Sequence, residues 1–240
     1  WGNVHPSHMP GQCLREDYID VVALGEGEDT IVELARALNE NRDLHEVAGI
    51  GFCDGDEIVI NERRTLLNEI DRYQPDWSLV DIERYIAPCW GIERTLRVTA
   101  SRGCPFNCSF CYNQAFNRRQ WRKHSADYVI NQLNQLGEDK GIGAFYFNDD
   151  NFFVDKEWAW KILDAIRRPY YVSLRAELVT PDVARRLAET GCRELLIGFE
   201  SGSDRVLKEV LNKGAMAADN MNAIEQLSMY PDVQVTASFI

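Results

Sequence analysis

Three cysteines, Cys104, Cys108 and Cys111, stand in the pattern C-x3-C-x2-C within Ser101-Arg102-Gly103-Cys104-Pro105-Phe106-Asn107-Cys108-Ser109-Phe110-Cys111-Tyr112. Gly, Pro and Asn make this stretch a turn, which brings three thiolates within reach of one inorganic centre. Four ligands close a structural zinc or an iron–sulfur cluster, whereas three leave one cluster iron open to a ligand that is not protein. Structural zinc is the alternative reading of such short spacings, with Cys89 as the candidate fourth thiolate. Fourteen residues and an expected strand separate Cys89 from Cys104, which counts against it. Further along, polar residues cluster at Asn148-Asp149-Asp150-Asn151, at Arg175 with Glu177, and at Glu200-Ser201-Gly202-Ser203. Taken singly these read as an Asx turn, a surface ion pair and a helix cap.

The elements around them turn that list into a pattern. From Thr95 onward, strand-like runs alternate with helical ones. The strands are expected at 95–100, 142–147, 170–174, 194–199 and 233–240. The helices are expected at 125–136, 155–166, 180–189, 203–211 and 217–227. Ser125 and Asp155 are good N-caps, and Thr180-Pro181 places proline at a first helical position. Such alternation predicts a parallel sheet with helical crossovers, a partial (β/α) barrel of the TIM type, whose functional residues gather at the carboxyl ends of the strands. The cysteine loop and the three polar clusters fall at four successive strand ends, which a protein built only for packing does not require.

The first part of the chain is less regular. Residues 1–17, with Gly2, His5, Pro6, Pro10 and Gly11, show no helix or strand period and read as a loop. A strand over 18–24 runs through Gly25-Glu26-Gly27-Glu28 into a helical pattern at Ile31, Leu34, Ala35 and Leu38, and Asp54-Gly55 between two β-rich runs signals a hairpin. The division expected is 1–75 for a first domain, 76–94 for a linker with a short helix over 81–86 ended by Pro88, and 95–240 for the barrel. A start at Trp1 and a stop at Ile240 inside an apolar run suggest a piece of a longer chain.

Composition excludes several classes of function. Of 240 residues, 45% are hydrophobic, as in an ordinary globular protein, and no apolar run reaches the ~18 residues of a membrane span. Lys+Arg 26 against Asp+Glu 38 gives a net charge of -12, which argues against nucleic acid as the main partner. The short basic cluster Arg118, Arg119, Arg122 and Lys123 is either a solvated face or an anion contact. Seven cysteines without a leader point to the cytoplasm rather than to a disulfide framework, and Cys53 and Cys192 are expected to pack as small hydrophobes.

The cysteine spacing, with Phe110 directly before Cys111, resembles the signature of the radical S-adenosylmethionine enzymes. Phe147-Asn148-Asp149-Asp150-Asn151-Phe152 and Ile197-Gly198-Phe199-Glu200-Ser201-Gly202-Ser203, followed by Lys213-Gly214, resemble segments of the cobalamin-linked branch of that family. Gly2-Asn3-Val4-His5-Pro6 and the 20–30 stretch resemble the end of the Rossmann-like cobalamin-binding domain that precedes the barrel there, although Trp1 stands where a first glycine is usual. The resemblance implies a [4Fe-4S] cluster on Cys104, Cys108 and Cys111, with S-adenosylmethionine on the open iron and reductive cleavage of its sulfonium. It further implies adenine contacts from Phe110 and the Tyr112 backbone, Asp149 and Asp150 on the methionine ammonium, Arg175 on its carboxylate, and Glu200 and Ser201 in the same site. The expected outcome is methyl transfer from cobalamin to an unactivated carbon or phosphorus centre of a small molecule, with flavodoxin or ferredoxin as electron donor. The alternatives are a radical cyclase, a methylthiotransferase, or a zinc- or cluster-bearing module without catalysis.

Overall fold

Asn3 adopts a left-handed backbone conformation (φ 79°), and its side chain accepts the Val4 N–H, which starts helix α1 (Val4–His8). Pro10 then opens α2 (Pro10–Cys13), so the stretch expected to be a loop holds two short helices, each too short to register a period. The computed structural model describes residues 1–240 and divides into two units, 1–73 with 112–118, and 74–111 with 119–240. In the first unit, β1 (Val21–Ala23) leads into α3 (Glu28–Asn39), and β2 (Ile50–Asp54) and β3 (Glu57–Ile60) form the hairpin expected at Asp54-Gly55. The three strands pair antiparallel in the order β1-β2-β3. Val22, Leu24, Ile50 and Phe52 form its buried apolar contacts. Ser7, fully buried, accepts the Gly25 N–H at 2.8 Å, which ties the His5-Pro6 helix to the glycine turn before α3. Cys53 is exposed, contrary to the packing role expected of it, because burial along β2 ends at Phe52; its thiol donates to the Leu14 carbonyl at 3.4 Å.

The second unit is built on a six-stranded sheet. Its edge pair is β4 (Ile86–Cys89) with β5 (Ile92–Val98), antiparallel, and a two-stranded ribbon of β6 (Ser101–Arg102) with β7 (Arg122–Lys123) stands apart from the sheet. There follow α4 (Ala126–Asp139), β8 (Ala144–Phe147), α5 (Lys156–Ile166), β9 (Tyr170–Leu174), α6 (Pro181–Thr190), β10 (Cys192–Glu200), α7 (Ala217–Ser228) and β11 (Gln234–Phe239). The order β11-β10-β9-β8-β5-β4 is parallel apart from β4. The five parallel strands and their crossovers match the sequence expectation. The edge strand β4 does not, because Pro88 read as a terminator; proline is compatible with an edge, where its missing N–H costs no ladder bond. The helix expected over 203–211 is a π-helical turn at Val206–Val210.

The period of two along each strand sorts the side chains. Leu96, Phe145, Tyr170, Val172, Leu195 and Ile197 face α4 to α7 and form the main core with Trp158, Ile162 and Leu187. Each large side chain buried there contributes about 1.5–3 kcal/mol. The other face carries Arg97, Tyr146, Tyr171 and Glu194. The Arg97 guanidinium lies 4.6 Å from the Tyr146 ring centroid, Tyr146 stacks on Tyr171 at 5.5 Å, and Glu194 accepts from the Trp90 indole at 2.8 Å. No helix is long and apolar enough to cross a membrane.

Candidate functional site

Because β5, β8, β9 and β10 are parallel, their carboxyl ends open along one edge of the sheet, and the cysteine loop leaves from the first of them. The ribbon of β6 and β7 closes the base of the loop, pairing Ser101 with Lys123 and Arg102 with Arg122. Lys123 is further held by Asp155, the N-cap of α5, so this part of the basic cluster has a structural partner.

Three consecutive residues after β8 grip the loop. Both Asp149 carboxylate oxygens accept the Ala100 N–H at 3.2 Å, and one of them also takes the N–H and hydroxyl of Ser101. Asp150 accepts the Gly103 N–H at 3.1 Å, and the Asn151 amide nitrogen lies 3.9 Å from Cys104 Sγ. Asp149 is buried, and desolvation pushes its carboxyl up to about 7 against the opposing pull of the hydrogen bonds from Ser101 and Ala100. Burial likewise raises the Cys104 thiol, while the Phe106 N–H, Asn151 and the charge of Arg175 act the other way.

The end of β9 supplies Arg175. Its Nε donates to Glu177 and its Nη2 to the Lys213 carbonyl, while Nη1 lies 3.7 Å from Cys108 Sγ. The guanidinium carbon sits 3.8 Å from the centroid of the Phe106 ring. At the end of β10, Glu200 takes a left-handed conformation (φ 61°) and pairs with Lys213 at 2.9 Å, both side chains being almost fully buried. Gly198 makes room for that pair: a Cβ there would lie 2.2 Å from a Glu200 carboxylate oxygen and 2.9 Å from the Lys213 ammonium. The Ser201 hydroxyl accepts the Ser203 N–H at 3.2 Å, and Asn220 donates to the carbonyls of Phe199 and Ser201.

Beyond the π-helical turn the chain returns to the cysteine loop. The Leu211 carbonyl accepts the Ser109 N–H at 2.9 Å, the Val210 carbonyl accepts the Ser109 hydroxyl at 2.7 Å, and Asn212 donates to the Asn107 carbonyl at 2.8 Å. The ends of β8 and β9 and the segment after the π-helical turn thus converge on one loop. Phe110 and Tyr112 are exposed, with the Tyr112 ring 6.1 Å from Phe116.

Cys89 has no place in this arrangement. It pairs with Ile92 at the amino end of β5, and the seven residues of that strand put it roughly 20 Å from the edge where the loop begins. The three loop thiols are not drawn together as the shell of a single ion. A cluster asks less, one thiolate on each of three separate irons. Two of the three sulfurs have an N–H donor directed at them, from Asn151 and Arg175, as suits thiolates that carry charge toward a metal. The residues present therefore fit such a cluster.

Sequence reasoning puts Asp149 and Arg175 on a bound cofactor; in the structure Asp149 bonds the loop at Ala100 and Ser101, and Arg175 bonds Glu177, the Lys213 carbonyl and Cys108 Sγ. It assigned no role to Asn151, Gly198, Asn212 or Lys213. For Gly198 the signal was present, a glycine two residues before a carboxylate at a strand end. The contacts of Lys213 and Asn212 depend on how the chain returns after the π-helical turn, and no local pattern encodes that.

Comparison with known proteins agrees with this architecture. The profile of the Radical SAM superfamily matches residues 98–236. An uncharacterized methyltransferase of Pyrococcus horikoshii is 31% identical over 246 residues, covering 100% of this chain and 52% of that protein. An anaerobic magnesium-protoporphyrin IX monomethyl ester cyclase of Cereibacter sphaeroides is 29% identical over 254 residues, covering 100% of this chain and 40% of that protein. The chain therefore spans about half, or less, of the length of these curated relatives. Among solved structures, the cobalamin-dependent S-adenosylmethionine radical enzyme OxsB with aqua-cobalamin bound superposes with a TM-score of 0.77 at 24% identity, covering 100% of this chain and 36% of that one.

Proposed function

This chain belongs to the Radical SAM superfamily, and from that premise we propose that it holds a [4Fe-4S] cluster on Cys104, Cys108 and Cys111 in a cobalamin-dependent methyltransferase. The observation that carries the reading is the convergence of the ends of β8 and β9 and of the segment after the π-helical turn on a loop with three cysteines, while the rival fourth thiolate, Cys89, lies at the opposite end of β5. When bound, the cluster and S-adenosylmethionine supply reductive cleavage of the sulfonium and the start of radical chemistry, and the protein supplies placement.

Each element of the chain has a share in that placement. Asp149 fixes the entry of the cysteine loop through Ala100 and Ser101, and Asn212 with Leu211 fixes its middle through Asn107 and Ser109. Asp150 is the carboxylate assigned to the methionine ammonium, with Phe110 against the adenine and the Glu200-Ser201 turn lining the same cofactor. In the first unit, the His5-Pro6 helix and the Gly25-Glu26-Gly27 turn, joined through Ser7, are the assigned cobalamin contacts. The polar sheet face bearing Arg97 and Tyr146 suits a small-molecule substrate with polar groups. A flavodoxin or ferredoxin of the cytoplasm would deliver the electron.

The second reading is a radical cyclase without methyl transfer, supported by the 29% identity to the Cereibacter sphaeroides cyclase over the whole chain. Products separate the two. Anaerobic incubation of the complete protein with cobalamin, S-adenosylmethionine and a low-potential reductant should yield 5'-deoxyadenosine from the radical step and S-adenosylhomocysteine from methyl donation. 5'-Deoxyadenosine alone favours the cyclase, and neither product defeats both readings.

A further inference from the structure

Arg175 is a cation fixed against the cysteine loop on four sides, by Glu177, by the Lys213 carbonyl, by Cys108 Sγ and by the face of Phe106. It is 8% exposed, so little water screens its charge. All three guanidinium nitrogens are engaged, and the side chain cannot swing toward a carboxylate ligand without losing two hydrogen bonds and a stacked ring. An N–H donated to a sulfur stabilises that sulfur more strongly as its electron density rises. A cluster held by three thiolates becomes more negative when it takes up one electron, so hydrogen bonds and fixed cations at its ligand sulfurs favour the reduced state.

Resting on the cluster reading above, we propose that Arg175, acting through Cys108, sets the reduction potential of the cluster, and that Glu177 tempers its charge. Glu177 belongs to the device because one carboxylate oxygen bonds Arg175 while the other, Oε2, is buried without a hydrogen-bond partner. Its negative charge is therefore spent on the guanidinium. The neighbouring Glu200–Lys213 pair is internally neutral and adds little net field. The two residues must then act with opposite sign. Removing the cation makes the cluster harder to reduce, and removing the carboxylate makes it easier. Arg175 is thus a positioning residue for charge rather than a clamp on the cofactor.

The test is a redox titration of anaerobically reconstituted protein, without S-adenosylmethionine, using an external one-electron reductant and following the paramagnetic reduced cluster. The wild type is compared with Arg175→Met, Arg175→Lys and Glu177→Gln, each assayed for iron and sulfide. Arg175→Met should lower the ratio of reduced to oxidised cluster at a fixed potential by at least tenfold, about 59 mV for one electron. Glu177→Gln should raise that ratio, and Arg175→Lys, which keeps the charge without the fork, should fall between the wild type and the Met variant. Arg175→Met titrating with the wild type at full iron content overturns the proposal. So does movement of Arg175→Met and Glu177→Gln in the same direction, the mark of a loosened loop. If Arg175→Met assembles no cluster, Glu177→Gln decides, and a value at or below the wild type defeats the idea. Variants that show none of these shifts beside a wild type that holds iron and sulfide sink only this inference, whereas a wild type that assembles no cluster sinks the reading beneath it as well.

Discussion

Replacing Asp149 by Ala separates a loop anchor from a cofactor ligand. The wild-type carboxylate satisfies two backbone N–H groups, of Ala100 and Ser101, and the Ser101 hydroxyl, all in a buried site. The hydroxyl can rotate to find another partner, but the two N–H groups cannot. A buried donor left unsatisfied costs about 1–3 kcal/mol, so Asp149→Ala should lose about 2–6 kcal/mol. Against a typical total of about 5–15 kcal/mol this is a large fraction of the fold's stability. Asp149→Asn keeps one carbonyl acceptor and should lose about half as much. Urea unfolding of the apo protein gives both values, since midpoint and slope report stability without any cofactor present. Iron uptake should fall with the stability loss, because the anchored residues lead directly into Cys104. The reasoning is refuted if Asp149→Ala unfolds with the wild type, takes up full iron, and binds S-adenosylmethionine at least tenfold more weakly. That result would return Asp149 to the cofactor.

Four further outcomes are expected. Ala at Cys104, Cys108 or Cys111 should abolish cluster assembly, whereas Cys89→Ala and Cys192→Ala should retain iron, the latter with some stability loss because Cys192 is buried; chemical iron and sulfide analysis checks this. With the Asp149 carboxyl raised to about 7 from an ordinary 3.8, its contribution to stability is full below about pH 4 and lost as pH rises through 7. Wild-type unfolding free energy should therefore decline across that window, and Asp149→Asn should flatten the decline. Gly198→Ala should force apart the Glu200–Lys213 pair, and Lys213→Met should strand the Glu200 carboxylate in the interior at a cost of about 3–5 kcal/mol, read by urea unfolding. Asp150→Ala, at full iron content, should weaken S-adenosylmethionine binding by about tenfold, or about 1.4 kcal/mol, measured by the cofactor-induced change in the reduced cluster's paramagnetic spectrum.

Much of the second unit was legible because its signals are local. Ser125, Asp155 and Thr180-Pro181 cap helices where their chemistry placed them, and the period of two put Phe145, Tyr170 and Leu195 on one face. The misses are of two physical kinds. Val4–His8, Pro10–Cys13 and the two-residue strands at Ser101 and Arg122 are too short to show a period, so only tertiary contacts define them. Asp149 and Arg175 were recognised as functional types, but a residue type does not say where its hydrogen bonds go. Asp149 meets the Ala100 and Ser101 backbone only once β5 and β8 lie side by side, and Arg175 meets the Lys213 carbonyl only once the chain has returned past β10. Cys53 misled for a similar reason, since an apolar neighbourhood in sequence does not determine how far along a strand the burial extends.

Three protein thiolates that leave one iron open predict both a stoichiometry and a spectral response. Anaerobically reconstituted protein should contain about four irons and four sulfides, the number of a [4Fe-4S] cluster, and the spectrum of its reduced cluster should change when S-adenosylmethionine is added and stay unchanged with methionine-free adenosine. A colourless protein holding one zinc that Cys89→Ala removes, or a cluster whose spectrum S-adenosylmethionine leaves untouched, would contradict that arrangement.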